Sequence, residues 1–198
     1  MTDVFEEAGD ATPLTPSERD GLKQHWITHR GDLNIAEQEN ILKGVAWAKR
    51  KKSRKIPELL NEEFARRLHG EMFSGVWTWA GNYRLSERNI GIAAPRIREE
   101  IRIMFGDVLF WIDHQTYLPD EIAVRMHHRL VAIHPFPNGN GRHSRLFADL
   151  LIETLGRQPF SWGSGSLVGT SELRANYIDA LWAADGHEVG KLLAFARA

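Results

Sequence analysis

Residues 134–145 bring together side chains that bind phosphate and side chains that move protons. The stretch reads His-Pro-Phe-Pro-Asn-Gly-Asn-Gly-Arg-His-Ser-Arg, and the small residues at its centre are Asn138, Gly139, Asn140 and Gly141. Such residues allow positive backbone dihedral angles, so that successive backbone amides can point into one concavity that binds an anion. The helix expected directly after this turn adds its unpaired N-terminal amides and the positive end of its dipole. The stretch therefore predicts a phosphate-binding site.

Three cationic or titratable side chains flank this turn. Arg142 and Arg145 lie three residues apart on the first turn of the expected helix, and two guanidiniums on one side suit a polyphosphate. His134 follows the end of the preceding helix, where an imidazole at the rim of the site can accept a hydroxyl proton near neutral pH. A glycine-rich turn before a helix is often no more than a turn. The histidine, the asparagines and the arginines around this one favour a nucleotide site.

Composition and motif spacing exclude several other classes of protein. The chain has no cysteine, which excludes a disulfide framework, a thiol nucleophile and cysteine-ligated metal centres. Its 25 Lys and Arg residues nearly balance 26 Asp and Glu residues, so no overall field favours nucleic acid or membrane. The P-loop motif is absent, and His127, His128 and His143 lack a recognisable metal-ligand spacing. The N-terminus does not resemble a signal peptide and no apolar run approaches ~18 residues, so we expect a cytoplasmic protein.

Apolar periodicity predicts the helices that must hold the phosphate turn. Helical patterns cover residues 60–72, 97–112, 120–133, 142–155, 171–184 and 187–198, with a glycine- and serine-rich loop over 156–170. Residues 77–94 combine aromatic side chains with a polar corner and an Ile-Gly-Ile ending, which predicts a short β-hairpin and is the one convincing strand signal. We expect a mostly α fold with one hairpin.

The N-terminal quarter of the chain predicts a separate helical extension. Residues 15–18 read Thr-Pro-Ser-Glu, which is typical of a helix start. A further helical stripe is formed by Leu33, Ala36, Ile41, Val45 and Ala48. The basic run over residues 49–55 then predicts a linker. We therefore divide the chain into an extension, residues 1–55, and a main domain, residues 56–198.

At residues 134–145 the chain resembles the Fic/Doc family, whose signature is His-x-Phe-x-[Asp/Glu]-Gly-Asn-Gly-Arg-x-x-Arg. The likeness extends to Leu68-His-Gly-Glu-Met-Phe73, to Trp77-Thr-Trp-Ala-Gly-Asn-Tyr-Arg84 and to Tyr177-Ile-Asp-Ala-Leu-Trp-Ala-Ala184, and so covers residues 56–198. The whole chain also resembles the small Fic-containing group called mobile mystery protein B. The resemblance implies a Fic-type helical bundle with a short β-hairpin flap and an N-terminal helical extension.

The resemblance also implies an activity, the transfer of AMP from ATP to a Ser, Thr or Tyr hydroxyl of another protein. His134 would deprotonate the hydroxyl that attacks the α-phosphorus, and pyrophosphate would leave. Arg142 would neutralise the leaving group, and Arg145 would contact the γ-phosphate. The implied catalytic residues are His134, Asn140 and Arg142. The implied phosphate-binding residues are Asn138, Gly139, Asn140, Gly141, Arg142 and Arg145. The implied flap, which would pair with a target segment by strand addition, is Glu87, Arg88, Asn89, Ile90, Gly91 and Ile92.

At one position the chain departs from the signature. The family residue that supplies an acidic Mg²⁺ ligand is Asn138 here, and its amide oxygen carries no negative charge. Phosphate oxygens and water supply much of the Mg²⁺ shell, so we expect Mg²⁺ beside ATP with Asn138 as the candidate metal ligand. The alternative is a catalytically weak nucleotide-binding regulatory module. A toxin–antitoxin role, with an antitoxin or regulator as partner, fits either hypothesis.

Many members of this family carry an inhibitory helix with the pattern [Ser/Thr]-x-x-x-Glu-[Gly/Asn], whose glutamate pairs with the second motif arginine, here Arg145. Glu39 and the asparagine after it match the end of this pattern, but Ile35 stands where Ser or Thr is required. Glu37 lies on the inward face of the same predicted helix, so its carboxylate needs a partner. Glu37 and Glu39 are the candidate inhibitory residues, and an ordinary interhelical ion pair or a solvated glutamate is the alternative.

Overall fold

The computed structural model describes residues 19–50, 54–164 and 172–198. Its helices are, in chain order, α1 (Arg30–Lys49), α2 (Ile56–Leu59), α3 (Glu62–Phe73), α4 (Ile97–Asp113), α5 (Pro119–Ile133), α6 (Asn140–Thr154), α7 (Glu172–Asp185) and α8 (Val189–Arg197), with 3₁₀ turns at Ala94–Arg96 and Trp162–Ser164. The predicted helix start at residues 15–18 lies outside the described residues. So do residues 51–53 of the predicted linker and residues 165–170 of the predicted loop.

Each helix predicted after residue 56 is present. Local signals set the starts of two of them: the Asn61 side chain accepts a hydrogen bond from the Phe64 amide at 2.8 Å, and Pro119 occupies the first turn of α5. α6 begins two residues earlier than predicted, at Asn140. Within the described ranges, no helix is both long and apolar enough to cross a membrane.

The helices enclose one core around α5. This helix packs against α4, α6 and α8, while α3 packs against α1 and α6. Fully buried members of the core include Leu68, Met72, Met104, Val108, Met126, Leu130, Phe147 and Leu151. Because α5 and α6 are held on several sides, the turn that joins them has a fixed position.

α1 is confirmed, but its buried stripe differs from the predicted one. The buried residues are Leu33, Glu37, Asn40, Gly44 and Ala48, whereas the predicted Ala36, Ile41 and Val45 are only partly buried. A Cβ atom added at Gly44 would lie 2.7 Å from the Met72 Cα, so glycine lets the backbones of α1 and α3 approach closely. The Asn40 side chain accepts from the Gly75 amide at 2.7 Å. Polar partners on the rest of the fold therefore compensate for the burial of polar residues on α1.

The predicted β-hairpin over residues 77–94 is wrong, because this segment contains turns, bends, irregular backbone and one isolated bridge residue before its 3₁₀ turn, and no strand. Its two arms bond to the end of α5 and to the turn after it instead of to each other. The Arg84 amide donates to the Pro135 carbonyl at 2.9 Å, and the Ile92 amide donates to the Ile133 carbonyl at 3.4 Å. The Arg84 side chain lies between the arms and donates hydrogen bonds to the carbonyls of Ser86 and Ile92, which are then not available for pairing between two strands. An isolated antiparallel bridge joins Leu22 to Trp77.

Candidate active site

The turn between α5 and α6 is closed by the Asn140 side chain. Its Oδ1 accepts from the Phe136 amide at 2.9 Å and its Nδ2 donates to the Phe136 carbonyl at 2.8 Å. Both residues are buried. Gly139 has φ of 78°, and a Cβ atom at this position would overlap the ring of Phe73. The turn therefore needs glycine at position 139 for two separate reasons.

The predicted phosphate-binding turn contains fewer residues with a positive φ than expected. Of the four small residues, only Gly139 has a positive φ, because Asn140 and Gly141 already belong to the first turn of α6. The amides available to an anion are then those of Gly139 and of the helix N-terminus. This arrangement still suits phosphate, since the two sets of amides are contiguous.

Asn138 is exposed at the mouth of this turn. Its side-chain Oδ1 accepts a hydrogen bond from the Gly139 amide at 2.7 Å, so a neutral oxygen occupies the position where a phosphate oxygen would accept. Among the described residues, no group of three or more His, Asp or Glu side chains is placed to hold a metal ion. Asn138 offers a neutral amide oxygen, so the anionic ligands of a Mg²⁺ ion at this turn would have to come from the nucleotide.

His134 ends α5 in a left-handed conformation, with φ of 52° and ψ of 61°. Such a conformation costs a non-glycine residue about 1–2 kcal/mol. The Arg84 Nε atom donates to the His134 carbonyl at 2.7 Å, which helps to hold it. Burial lowers the pKa of the His134 imidazole to about 4, and the charges of Arg84 and Arg88 act in the same direction. The imidazole is therefore neutral near pH 7 and able to accept a proton.

Sequence reasoning missed the part played by Arg84. Its side chain is buried, with 3% of the residue exposed, and besides His134 it donates to the carbonyls of Ser86 and Ile92. It thereby ties the predicted flap to the end of α5. The only sequence signal was its place at the end of the Trp77–Arg84 stretch that carried the family resemblance.

The predicted flap lies directly over the histidine. Residues 87–91 are exposed and Ile92 is half-buried, while the neighbouring Leu85 is 97% exposed. A Cβ atom added at Gly91 would lie 2.6 Å from the His134 Cβ, so the flap backbone contacts the candidate base. The Glu87 side chain accepts from the Ala94 amide at 3.0 Å and closes the far end of the flap.

Arg142 of α6 is paired with Glu37 of α1. The Nη1 atom of Arg142 lies 2.7 Å from Oε2 of Glu37, and Oε1 of Glu37 accepts from the Trp77 indole at 2.7 Å. The prediction that Glu37 or Glu39 meets Arg145 is therefore wrong: Glu37 meets the first motif arginine instead. Glu39 is exposed, because two residues along a helix turn it by about 200° from Glu37.

Arg145 lies beside Tyr177 of α7, with its guanidinium 5.4 Å from the ring centroid. Burial lowers the pKa of Arg145, while its contact and hydrogen bond with Tyr177 act in the opposite direction. The Tyr177 hydroxyl also lies 3.0 Å from Nε2 of His127. The two motif arginines thus start on the same helical turn, as predicted, but have different partners.

A second missed residue is His69 of α3, which lies beneath the turn. It is fully buried, and its ring stacks on Phe136 with centroids 3.7 Å apart. Its two nitrogens contact the backbone of Asn138 and of Gly81, each at 3.0 Å. Sequence reasoning quoted this histidine only as part of a family stretch, since nothing local indicates a partner 69 residues away.

Comparison with known proteins agrees with this geometry. Residues 59–152 match the model of the Fic/DOC family. A relative named protein adenylyltransferase fic-1, from Caenorhabditis elegans, is 31% identical over 121 residues, which are 60% of this chain and 22% of the relative. A relative named protein adenylyltransferase Fic, from Nematostella vectensis, is 34% identical over 83 residues, which are 40% of this chain and 19% of the relative. The chain thus spans about a fifth of the length of these curated relatives.

Solved structures show the same fold at lower identity. The N-terminal Fic domain of a VirB-translocated effector from Bartonella sp. 1-1C has a TM-score of 0.70 at 16% identity, with 90% of each chain covered. The BepC protein of Bartonella tribocorum, solved with bound AMPPNP, has a TM-score of 0.67 at 15% identity and covers 92% of this chain and 98% of its own. With the signature turn, the helical bundle and the family match in agreement, residues 59–152 of this chain form a domain of the Fic/DOC family.

Proposed function

We propose that this protein transfers AMP from ATP to a Ser, Thr or Tyr hydroxyl of another protein. The observation that carries the proposal is a neutral His134 imidazole next to a turn whose amides and two arginines suit a polyphosphate. The names of the curated relatives and the AMPPNP bound to the Bartonella tribocorum protein support it. The use of ATP as donor is consistent with a cytoplasmic location.

In the proposed reaction the His134 imidazole accepts the proton of the target hydroxyl. The hydroxyl oxygen then forms a bond to the α-phosphorus, the bond from that phosphorus to the bridging oxygen breaks, and pyrophosphate leaves with the electron pair. The Gly139 amide and the N-terminal amides of α6 bind phosphate oxygens. Arg142 and Arg145 stabilise the charge on the outer phosphates.

The Asn140 side chain has a supporting part in this scheme. It is fully engaged with the backbone of Phe136, so it shapes the turn rather than touching the reacting atoms. We assign its catalytic contribution to its backbone amide, at the first position of α6. The family resemblance implied a catalytic and phosphate-binding role for Asn140 without naming the atom.

Mg²⁺ enters this proposal as part of the Mg–ATP substrate. Phosphate oxygens and water supply most of the ligands, and the Asn138 Oδ1 atom is the nearby protein oxygen that becomes available once ATP takes the Gly139 amide. No step of the proposed proton transfer depends on a metal ion held by the protein.

We propose that the N-terminal extension, residues 1–55, inhibits the main domain through Glu37. The carboxylate holds the Arg142 guanidinium, which the proposed reaction needs at the leaving phosphates. It is itself held by Trp77, so the ion pair has a defined geometry. An antitoxin or another regulator that changes the position of α1 would change the availability of Arg142.

The flap is the proposed binding place of the target protein. Its residues 87–91 are exposed and lie above His134, so an extended target segment on the flap would bring a hydroxyl close to the imidazole. Backbone pairing of this kind provides affinity without requiring one particular sequence. The flap is not a strand in the described state, so pairing would require it to extend.

A second candidate is a nucleotide-binding regulatory module with weak catalysis. The neutral amide at Asn138 and the engagement of Arg142 by Glu37 favour it. Incubation of a cell lysate with ATP, Mg²⁺ and the protein, followed by mass spectrometry for AMP adducts, separates the two. Wild type, Glu37→Gln and His134→Ala are compared. Adducts that require His134 support the transferase; nucleotide binding without adducts in every variant supports the regulatory module.

A further inference from the structure

His69 connects three parts of the fold at one buried point. It belongs to α3, it accepts a hydrogen bond from the Gly81 amide, and it contacts the carbonyl of Asn138 in the phosphate turn, each at 3.0 Å. Its ring is sandwiched in an aromatic cluster, stacked on Phe136 and 4.7 Å from the Phe73 centroid. None of its surface is exposed.

These two contacts determine which nitrogen of the ring carries the proton. A backbone amide can only donate, so Nδ1 of His69 must present its lone pair to Gly81. A carbonyl can only accept, so Nε2 must carry the hydrogen and donate to Asn138. Burial, together with the nearby His143, lowers the pKa of His69 well below its ordinary value. The ring is therefore neutral, with its proton on Nε2.

The direction of the Asn138 carbonyl determines the direction of the next amide. A trans peptide is planar, so its carbonyl and its N–H point to opposite sides. The described residues contain no cis peptide. Because His69 holds the Asn138 carbonyl towards the core, the Gly139 N–H points outwards. It donates to Oδ1 of the exposed Asn138 side chain, on the side from which a phosphate would approach.

We propose that His69 is a positioning residue that aims the Gly139 amide at the nucleotide phosphates. The inference rests on the proposed function, since it assigns a role in the same site. Without the Nε2 donor, the peptide between Asn138 and Gly139 is free to rotate and to present its carbonyl oxygen to the phosphates. An oxygen in that position repels an anion, whereas the amide attracts it.

Three substitutions in the full chain test this role, each made together with Glu37→Gly so that the ion pair does not compete with ATP. His69→Phe keeps an aromatic ring but removes both hydrogen bonds. His69→Gln places an N–H donor near the position of Nε2. His143→Phe is the matched control, because His143 is an equally buried histidine that donates to the Ala65 carbonyl of α3 and not to the turn.

Calorimetry with ATP and with adenosine measures whether the loss of binding affinity in a variant depends on the phosphates. We expect His69→Phe to weaken ATP binding by about tenfold, as for one lost orienting hydrogen bond, with little change for adenosine. His69→Gln should recover most of the loss. His143→Phe should lower the melting temperature as much as His69→Phe but leave the ratio of the two affinities unchanged. Equal losses in the two Phe variants would show a merely structural role and overturn the proposal.

Nitrogen-15 NMR provides a readout that packing alone does not move. In the Glu37→Gly chain, ATP should shift the Gly139 amide signal strongly, and His69 should show a neutral ring protonated on Nε2. In His69→Phe the ATP-induced shift of Gly139 should be lost. If ATP shifts Gly139 as expected but no AMP is transferred, the proposed reaction is wrong and the role of His69 stands. If ATP leaves the Gly139 signal unchanged, the role of His69 is wrong.

Discussion

Glu37 and Arg142 form a 2.7 Å ion pair that joins α1 to α6, and its carboxylate is largely withdrawn from water, since Glu37 is only 3% exposed, whereas the Arg142 side chain is 29% exposed. An ion pair in such surroundings is less screened than one at the surface. Its carboxylate also accepts from Trp77, so neither partner is free to adopt another rotamer without losing a bond. The guanidinium proposed for the outer phosphates is therefore already engaged.

Glu37→Gln should raise both ATP affinity and AMP transfer by about tenfold, because a charge-assisted bond to Arg142 is lost while the amide oxygen still accepts from Trp77. Calorimetry and transfer of labelled AMP measure the two effects. Glu39→Gln, on the exposed side of the same helix, is the control and should change neither. Unchanged affinity in Glu37→Gln would make the ion pair purely structural.

The acid limb of kcat/KM should lie near pH 4 instead of near 6.5. Protonation of His134 removes its ability to accept a proton, and its pKa is lowered to about 4, so activity falls only as the pH drops through that value. Folding stability also falls from about pH 6.5 downwards, because the unfolded imidazole takes up its proton first. Circular dichroism at each pH separates the two effects. An acid limb near pH 6.5 would show that the group whose protonation stops the reaction is not a His134 imidazole with a lowered pKa.

Arg142→Ala should weaken ATP binding much more than AMP binding, since the proposed contacts of Arg142 are with the outer phosphates. Calorimetry with both ligands, performed in the Glu37→Gln chain, measures the difference without competition from the carboxylate. Arg129→Ala, which removes the ion-pair partner of Asp107 and Glu100 on α4, is a suitable control. Equal losses for ATP and AMP would place Arg142 at another part of the nucleotide.

Asn138→Asp changes the amide of Asn138 to a carboxylate of nearly the same shape. We expect tighter Mg²⁺-dependent ATP binding and faster AMP transfer, because the new oxygen is anionic and lies beside the proposed phosphates. A titration of transfer rate across Mg²⁺ concentrations, for wild type and variant, measures this. Weaker ATP binding at every Mg²⁺ concentration would indicate that the carboxylate repels the phosphates and that no cation lies there.

Gly91→Ala should reduce AMP transfer by about tenfold or more, with a smaller effect on ATP affinity. The residue has φ of 93°, and its Cβ would lie 2.6 Å from the His134 Cβ and 2.8 Å from an Arg84 nitrogen, so the flap and the base must move apart. Gly106→Ala is the matched control, since its Cβ position on α4 is open. If both substitutions left transfer unchanged, the flap would not determine the position of His134.

Local sequence patterns predicted the elements that depend on local interactions. The helices from α3 to α8, the turn after α5 and the presence of an inward-facing glutamate on α1 all follow from periodicity and residue type. The start of α6 was misjudged because the Asn140 side chain bonds back to Phe136, which no helix propensity expresses. The hairpin prediction was wrong because the two arms bond to a distant part of the chain. The Arg84 amide bonds to Pro135, about fifty residues away along the chain, and the Ile92 amide bonds to Ile133, about forty residues away.

Contacts between distant segments were the least predictable part of the site. The apolar stripe on α1 predicted Ala36, Ile41 and Val45 as buried residues. Asn40 and Gly44 are buried instead, and the Asn40 side chain is bonded to the Gly75 amide. Family resemblance pointed to a glutamate–arginine pair but to the wrong arginine. His69 and Arg84 were overlooked because their partners are backbone atoms of the turn, and a sequence contains no direct record of such bonds.

The close approach of α1 to α3 at Gly44 restricts how Arg142 can be released. With the two backbones almost in van der Waals contact, α1 has no room to slide or to tilt by a small amount while it stays bound. Arg142 can then be released in two ways. Either the Glu37 side chain changes its rotamer, or the whole of α1 leaves its place on the fold. Departure of α1 is all-or-none. A regulator that binds the released α1 would therefore activate each molecule completely. A graded response would arise only from the fraction of molecules to which the regulator is bound.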